Sequence, residues 1–142
     1  MLVRLTYASR ANDGITHEAL TAILKQSRAK NLDSGVTGVL VFSDGIFLQV
    51  LEGGRDAVSR LYNRIAQDQR HRDVVLLGYE EIAERRFAGW AMGQANLQRL
   101  NAGVLLKYSE RAELDPYALS GTAAIALFEE LVQTAVISCP GA

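Results

Sequence analysis

An α+β fold, with two helices on one face of an antiparallel-rich sheet, is predicted by three observations. Residues 36–54, VTGVLVFSDGIFLQVLEGG, are two apolar runs joined by Asp-Gly, the signature of a β-hairpin with a type I′ turn. Both faces of that hairpin are apolar, so both must be covered. Amphipathic helical stretches precede and follow it, within the order strand, helix, strand, strand, helix, strand, strand. The first six elements match the ferredoxin-like pattern. The whole reads βαββαββ, with C-terminal helices left to cover the second face.

The first strand is Leu2 to Ser9, with Val3, Leu5 and Tyr7 on one face. Thr16 is a candidate N-cap for a helix through about Lys30, with Leu20, Ile23, Leu24 and Ser27 on one stripe. Asn31 to Gly35 carries stop signals. With Asp44 and Gly45 as the turn, Ser43 faces Ile46, Phe42 faces Phe47, Val41 faces Leu48 and Leu40 faces Gln49. One hairpin face then carries Gly38, Leu40, Phe42, Phe47, Gln49 and Leu51. The other carries Val39, Val41, Ile46, Leu48 and Val50. A second helix follows Gly53-Gly54, with Asp56 as a candidate cap and Val58, Leu61, Tyr62 and Ile65 as its stripe. Gln67 to Asp73 reads as a polar link and Val74 to Ile82 as the fourth strand. Phe87 to Ala95 reads as the fifth, holding Trp90 and Met92 on one face. Leu97 to Lys107 is a short helix. Ala123 to Val136 is a stronger one, with Ser120 or Asp115 as its cap.

The chain of 142 residues suits one domain, and 49% hydrophobic residues are enough for a core. A formal net charge of −1 argues against a nucleic-acid partner or an anionic membrane surface. The lone Cys139 forms no internal disulfide, and no metal-ligand spacing occurs. Without a signal peptide or an uninterrupted apolar span, the expected setting is the reducing cytoplasm.

Familiar catalytic sets are missing. His17 and His71 sit in polar surroundings and read as surface residues, and Gly53-Gly54 lacks the rest of a phosphate-loop pattern. Arg55, Arg60 and Arg64 read as a solvated helix edge, with Arg64 nearest the stripe. Gln49 is the anomaly: a primary amide on an apolar strand face, which would cost about 1–3 kcal/mol if buried without partners. It is either a core amide satisfied by a neighbour or a ligand contact. Tyr7, Asn31, Trp90 and Met92 each admit a structural reading too: core tyrosine, helix stop and strand packing.

Taken together, these residues resemble a known family. TYAS with Tyr7, SRAKN ending at Asn31, SGVTGVL, FLQVLEG with Gln49, the basic helix around Arg64, and FAGWAM with Trp90 and Met92 are similar to the BLUF family of blue-light sensors using FAD. The resemblance covers roughly the first two-thirds of the chain, and LLKYS at 105–109 is similar to a segment of short members. It implies residues 1–97 as a flavin-binding core and 98–142 as a helical extension packed on the sheet. It implies FAD between the two helices, with Asn31 and Arg64 at its polar edge, Ile23 and Ile65 packed on the ring, and Lys30 beside it. It implies that Tyr7 gives an electron and its proton to the photoexcited cofactor and recovers both, while Gln49 changes its hydrogen bonding. Trp90 and Met92 would carry the signal to a separate partner protein, with a homo-oligomer expected. No substrate is turned over in that reading. Two alternatives stand beside it: a flavin- or nucleotide-dependent enzyme, and a cofactor-free interaction module on the same frame.

Overall fold

The computed structural model describes residues 1–12, 14–95, 102–134 and 137–138. The elements run β1 (Leu2–Ala11), α1 (His17–Ser34), β2 (Thr37–Ser43), β3 (Ile46–Gly54), α2 (Arg55–Gln67), β4 (His71–Ile82), β5 (Gly93–Ala95), α3 (Ala102–Tyr108), a 3-10 turn (Pro116–Ala118), α4 (Gly121–Gln133) and β6 (Ile137–Ser138). They form the expected α+β frame around a mixed sheet ordered β4-β1-β3-β2-β5-β6. Its first four strands are antiparallel, and β5 joins β2 in parallel.

The hairpin has the register counted from its turn: Ser43 opposite Ile46, Phe42 opposite Phe47, Val41 opposite Leu48, Leu40 opposite Gln49. Asp44 and Gly45 take φ of 50° and 75°, as a type I′ turn requires. Each face has its own core. Leu40 and Leu51 join Val3, Leu5 and Tyr7 of β1, Leu20 and Leu24 of α1, and Val58 of α2. Val39, Val41, Leu48 and Val50 pack against Ala124, Leu127, Phe128 and Leu131 of α4. The second cover is therefore the C-terminal helix, where each buried leucine or phenylalanine contributes about 1.5–3 kcal/mol.

Several boundaries differ from expectation. Helix α1 runs to Ser34, because the stop is Gly35 at φ 75°, whose N–H reaches the carbonyls of Asn31 and Leu32. Asn31 thus lies within the helix instead of terminating it. Gly54, not Asp56, precedes α2 as its cap, leaving Asp56 in the first turn. Strand β4 begins at His71, inside the stretch read as a link. Asp115 and Ser120 are both caps, of the 3-10 turn and of α4 respectively. Helix α3 begins at Ala102; the earlier part of its expected span, Val136 at the expected end of α4, and Cys139 lie outside the described residues.

The largest departure is the fifth strand, which is only Gly93–Ala95. The backbone before it is bound elsewhere. The Arg86 and Phe87 N–H groups donate to the Glu52 carboxylate at 3.1 and 2.7 Å, and Trp90 N–H turns back to the Phe87 carbonyl at 3.1 Å. Groups so committed are lost to a strand ladder. Trp90 and Met92 consequently do not share a face. Met92 is fully buried in the core beneath α1 and α2, whereas Trp90 packs on the α4 side.

Glu52 is itself fully buried. Arg4, 4% exposed, meets it through Nε and a terminal nitrogen, both at 2.8 Å, and reaches Glu80 at 2.6 Å. A buried carboxylate is tolerated when a cation and N–H donors satisfy its oxygens, and Glu52 has both.

Candidate functional site

A cavity of about 280 Å³ opens between α1 and α2 over the sheet. Its floor is Tyr7 from β1, Leu40 from β2, and Phe47 and Gln49 from β3. Helix α1 contributes Ile23, Leu24, Ser27, Lys30 and Asn31, which recur at helical spacing and so share one side. Helix α2 contributes Leu61, Arg64 and Ile65 as the facing wall.

Tyr7 and Gln49 are directly opposite each other in the β1–β3 register. The Tyr7 hydroxyl donates to Gln49 Oε1. Gln49 Nε2 lies 3.1 Å from Met92 Sδ. The amide is therefore held unequally, with its carbonyl on a hydroxyl donor and its NH2 on a thioether, a weak acceptor. Burial pushes the Tyr7 phenol above its ordinary range, with nearby Tyr62 and Asp68 adding smaller effects. The phenol keeps its proton at neutral pH. The Tyr62 ring lies 5.8 Å from that of Tyr7, tilted by 58°.

Helix α1 also fixes the segment carrying Met92. Arg28 Nε donates to the Met92 carbonyl at 3.1 Å, and Asn31 Nδ2 to the Ala91 carbonyl at 3.4 Å. From the sheet, Gly38 N–H donates to the Trp90 carbonyl at 2.8 Å.

The structure thus brings Tyr7, Gln49, Asn31 and Met92 into one buried cluster. Ile23 and Ile65 face the cavity from opposite helices, and Lys30 and Arg64 are exposed at its rim. Trp90 stands apart on the other face. Sequence reasoning missed the end of α2. Asp68, Arg70 and His71 all line the cavity. Asp68 accepts from the Arg70 backbone N–H and from Arg70 Nε, at 2.9 and 3.0 Å, and this pairing holds its carboxyl below the usual range. His71 is half-buried, unlike the surface residue expected. Its Nε2 meets the Ile65 carbonyl, so Nε2 donates, and in the neutral ring Nδ1 accepts from the Ser9 hydroxyl at 2.8 Å. The sequence held one signal for this: an Asp-x-Arg-His run straight after the apolar stripe of a helix. Polarity alone made it look like a solvated link.

The lining is mostly apolar on the walls and floor, with Tyr7, Gln49, Ser27 and Asn31 as its polar points, and cationic at the rim, where Lys30, Arg64 and Arg70 outnumber Asp68. Such a slot fits a flat aromatic group carrying a phosphate. Among the described residues, no group of three or more His, Cys, Asp and Glu side chains is placed to hold a metal ion. Among them, too, no helix is long and apolar enough to cross a membrane.

Comparisons with known proteins agree with this geometry. The model of the BLUF family, described as sensors of blue-light using FAD, matches residues 2–93. The beta subunit of a photoactivated adenylate cyclase from Euglena longa is 38% identical over 100 residues, which are 70% of this chain and 12% of that protein. The chain thus spans about an eighth of that curated relative. Two solved structures match over nearly their whole length. One is BlsA in its photo-activated state, with TM-score 0.82, 32% identity, and 93% and 95% of the two chains covered. The other is the BLUF protein BlrB in its dark state, with TM-score 0.77, 30% identity, and 94% and 96% covered.

Proposed function

The chain belongs to the BLUF family of flavin-binding blue-light sensors, and on that premise we propose that Tyr7 and Gln49 form its light-operated switch, with FAD as the flavin. The observation that supports this reading is the Tyr7–Gln49 hydrogen bond at the floor of the slot between α1 and α2. When bound, the flavin supplies the blue-absorbing chromophore and, once excited, an oxidant. With the flavin bound, Tyr7 would be the donor of an electron and its phenolic proton and would take both back, so the cycle would consume nothing. Gln49 is the element that changes, since its carbonyl and amide ends can exchange places on one short stem.

Met92 sets the resting arrangement. A thioether accepts weakly and donates nothing, so it tolerates the Gln49 NH2 and leaves a carbonyl without a partner. Reorienting Gln49 therefore disturbs Met92 and, through it, the backbone that Arg28 and Asn31 hold. Asn31 and Arg64 would bind the polar edge of the ring system, Ile23 and Ile65 its two faces, and Lys30 and Arg70 the phosphate-bearing side. Trp90, which packs toward α4, would register movement of the same segment from the other face. In this division residues 1–97 are the sensing core and 98–142 an extension that carries the signal to a separate cytoplasmic protein.

The test is optical. Purified protein should be yellow, should shift its absorption slightly to the red under blue light, and should return in darkness. Flavin extracted by heat and resolved by chromatography should be FAD; recovery of FMN alone would correct the cofactor and leave the switch standing. A colourless protein that takes up no flavin would remove the proposal, and bleaching that requires an added substrate would favour the enzymatic alternative.

A further inference from the structure

We infer that the outer edge of β4 is a self-complementary surface on which a second copy of this chain docks antiparallel, which gives the expected self-association a specific place. Strand β4 is the outermost of the sheet, twelve residues long. Of the six large hydrophobic side chains most exposed among the described residues, Val75, Leu76 and Tyr79 lie on this strand, at 43%, 49% and 45% exposure. Met1 adjoins its far end, where the neighbouring Leu2 pairs with Ile82. A long strand edge with apolar side chains at its centre attracts another strand unless something blocks it.

Charge selects the occupant. The strand is entered through Arg70 and Arg72, 54% and 52% exposed, and it leaves through Glu80 and Glu81, 56% and 62% exposed. A parallel copy would stack like charges. An antiparallel copy brings each basic end onto the other's acidic end, and a two-fold axis at Leu76 sets Arg72 opposite Glu80 of the second copy. Both residues already hold local partners, Asn12 and Arg4, so the cross-strand pair adds a contact without stranding a charge.

Other features limit the ladder. The Asp73 carbonyl accepts from the Tyr117 hydroxyl at 2.8 Å, so backbone pairing centres on residues 74–78 and Arg72 meets Glu80 of the second copy through side chains alone. The β4 register shifts opposite β1 between Thr6 and Tyr7 and between Ala8 and Arg10, and such bulges bend an edge strand. The opposite edge of the sheet is the two-residue β6. Pairing β4 with β4 uses the long edge of both copies, so the assembly closes as a dimer and does not grow into a filament.

Light scattering with size-exclusion chromatography, on the flavin-loaded full chain in darkness, tests this. The wild type should be dimeric by about 100 µM, where an interface with a Kd near 1 µM is essentially formed. Leu76→Glu should weaken dimerisation by more than about tenfold, with its flavin spectrum and circular dichroism unchanged. Arg72→Glu, which leaves the apolar centre intact, should also weaken it, and Leu106→Glu on α3 should not. A monomeric wild type at that concentration would overturn the proposal. So would a dimer indifferent to both β4 substitutions. None of these outcomes touches the photochemistry, whose failure would show instead as an absent spectral shift.

Discussion

Tyr7 and Gln49 face each other on neighbouring strands and share a hydrogen bond, and the proposed switch assigns the proton to the first and the reorienting amide to the second. Tyr7→Phe keeps the ring and removes the phenolic proton, so flavin should bind and the light-induced shift should vanish; a normal shift would sink the donor role. Gln49→Leu should give the same silence by removing the reorienting amide, and it should fold, because Leu40 and Phe47 around it are apolar; a persisting shift in purified protein would exclude a glutamine switch. Asn31→Ala should weaken flavin retention by about 0.5–1.5 kcal/mol, roughly two- to twelvefold in Kd. Equal affinity in titrations of the two proteins would count against that contact. Gln49 was legible in the sequence because a primary amide on an apolar strand face demands a partner, and the partners proved to be Tyr7 and Met92. His71, Asp68 and Arg70 were not, because a polar run after a helix looks the same whether it meets water or lines a cavity.

Among the elements, the hairpin shows how far periodicity reaches. Its turn fixed the register, and the register placed Gln49 on the helix-covered face with Leu40 and Leu51. The fifth strand shows where periodicity fails. Alternation from Phe87 to Ala95 resembled a strand, but a carboxylate from β3 captured the backbone donors at its start. That capture is a tertiary event between residues 34 and 35 apart, so no local pattern announces it. The hairpin also contains a position with no slack. A Cβ on Gly38 would fall 2.0 Å from the Val50 carbonyl oxygen, which is backbone and has no rotamer to change. Gly38→Ala should force the strands apart, also disturbing the hydrogen bond to the Trp90 carbonyl. Its denaturation midpoint should fall well below that of Gly54→Ala, whose Cβ would meet nothing within 4 Å. Matching midpoints would mean that the hairpin yields at little cost.

Across the whole molecule, the Tyr7–Gln49 pair and α4 lie on opposite faces of one sheet, joined by the segment from Arg86 to Met92. A swing from about 1:99 to 99:1 needs roughly 5.5 kcal/mol, and one rearranged hydrogen bond contributes about 0.5–1.5 kcal/mol. Light should therefore produce a partial change in opening of that segment and α4, with the sheet itself unmoved. Hydrogen exchange in darkness and under blue light, with Trp90→Ala alongside, checks this, and identical protection from residue 86 to 133 would redirect the search to the surfaces of α1 and α2. The Arg4–Glu52 pair anchors the same segment, so Glu52→Gln should cost about 3–5 kcal/mol in urea unfolding; an unchanged midpoint would show that the pair adds nothing to stability. The pair also orders events in time. Arg4 leaves the ribosome before Glu52, whereas Arg86 follows it by 34 residues, a delay of about 2–7 s at the usual speeds of synthesis. Until then the nascent hairpin holds a carboxylate still lacking two of its donors. Dehydrating it early is unfavourable, so the half-made sheet should stay loose until the stretch bearing Arg86 and Phe87 has emerged.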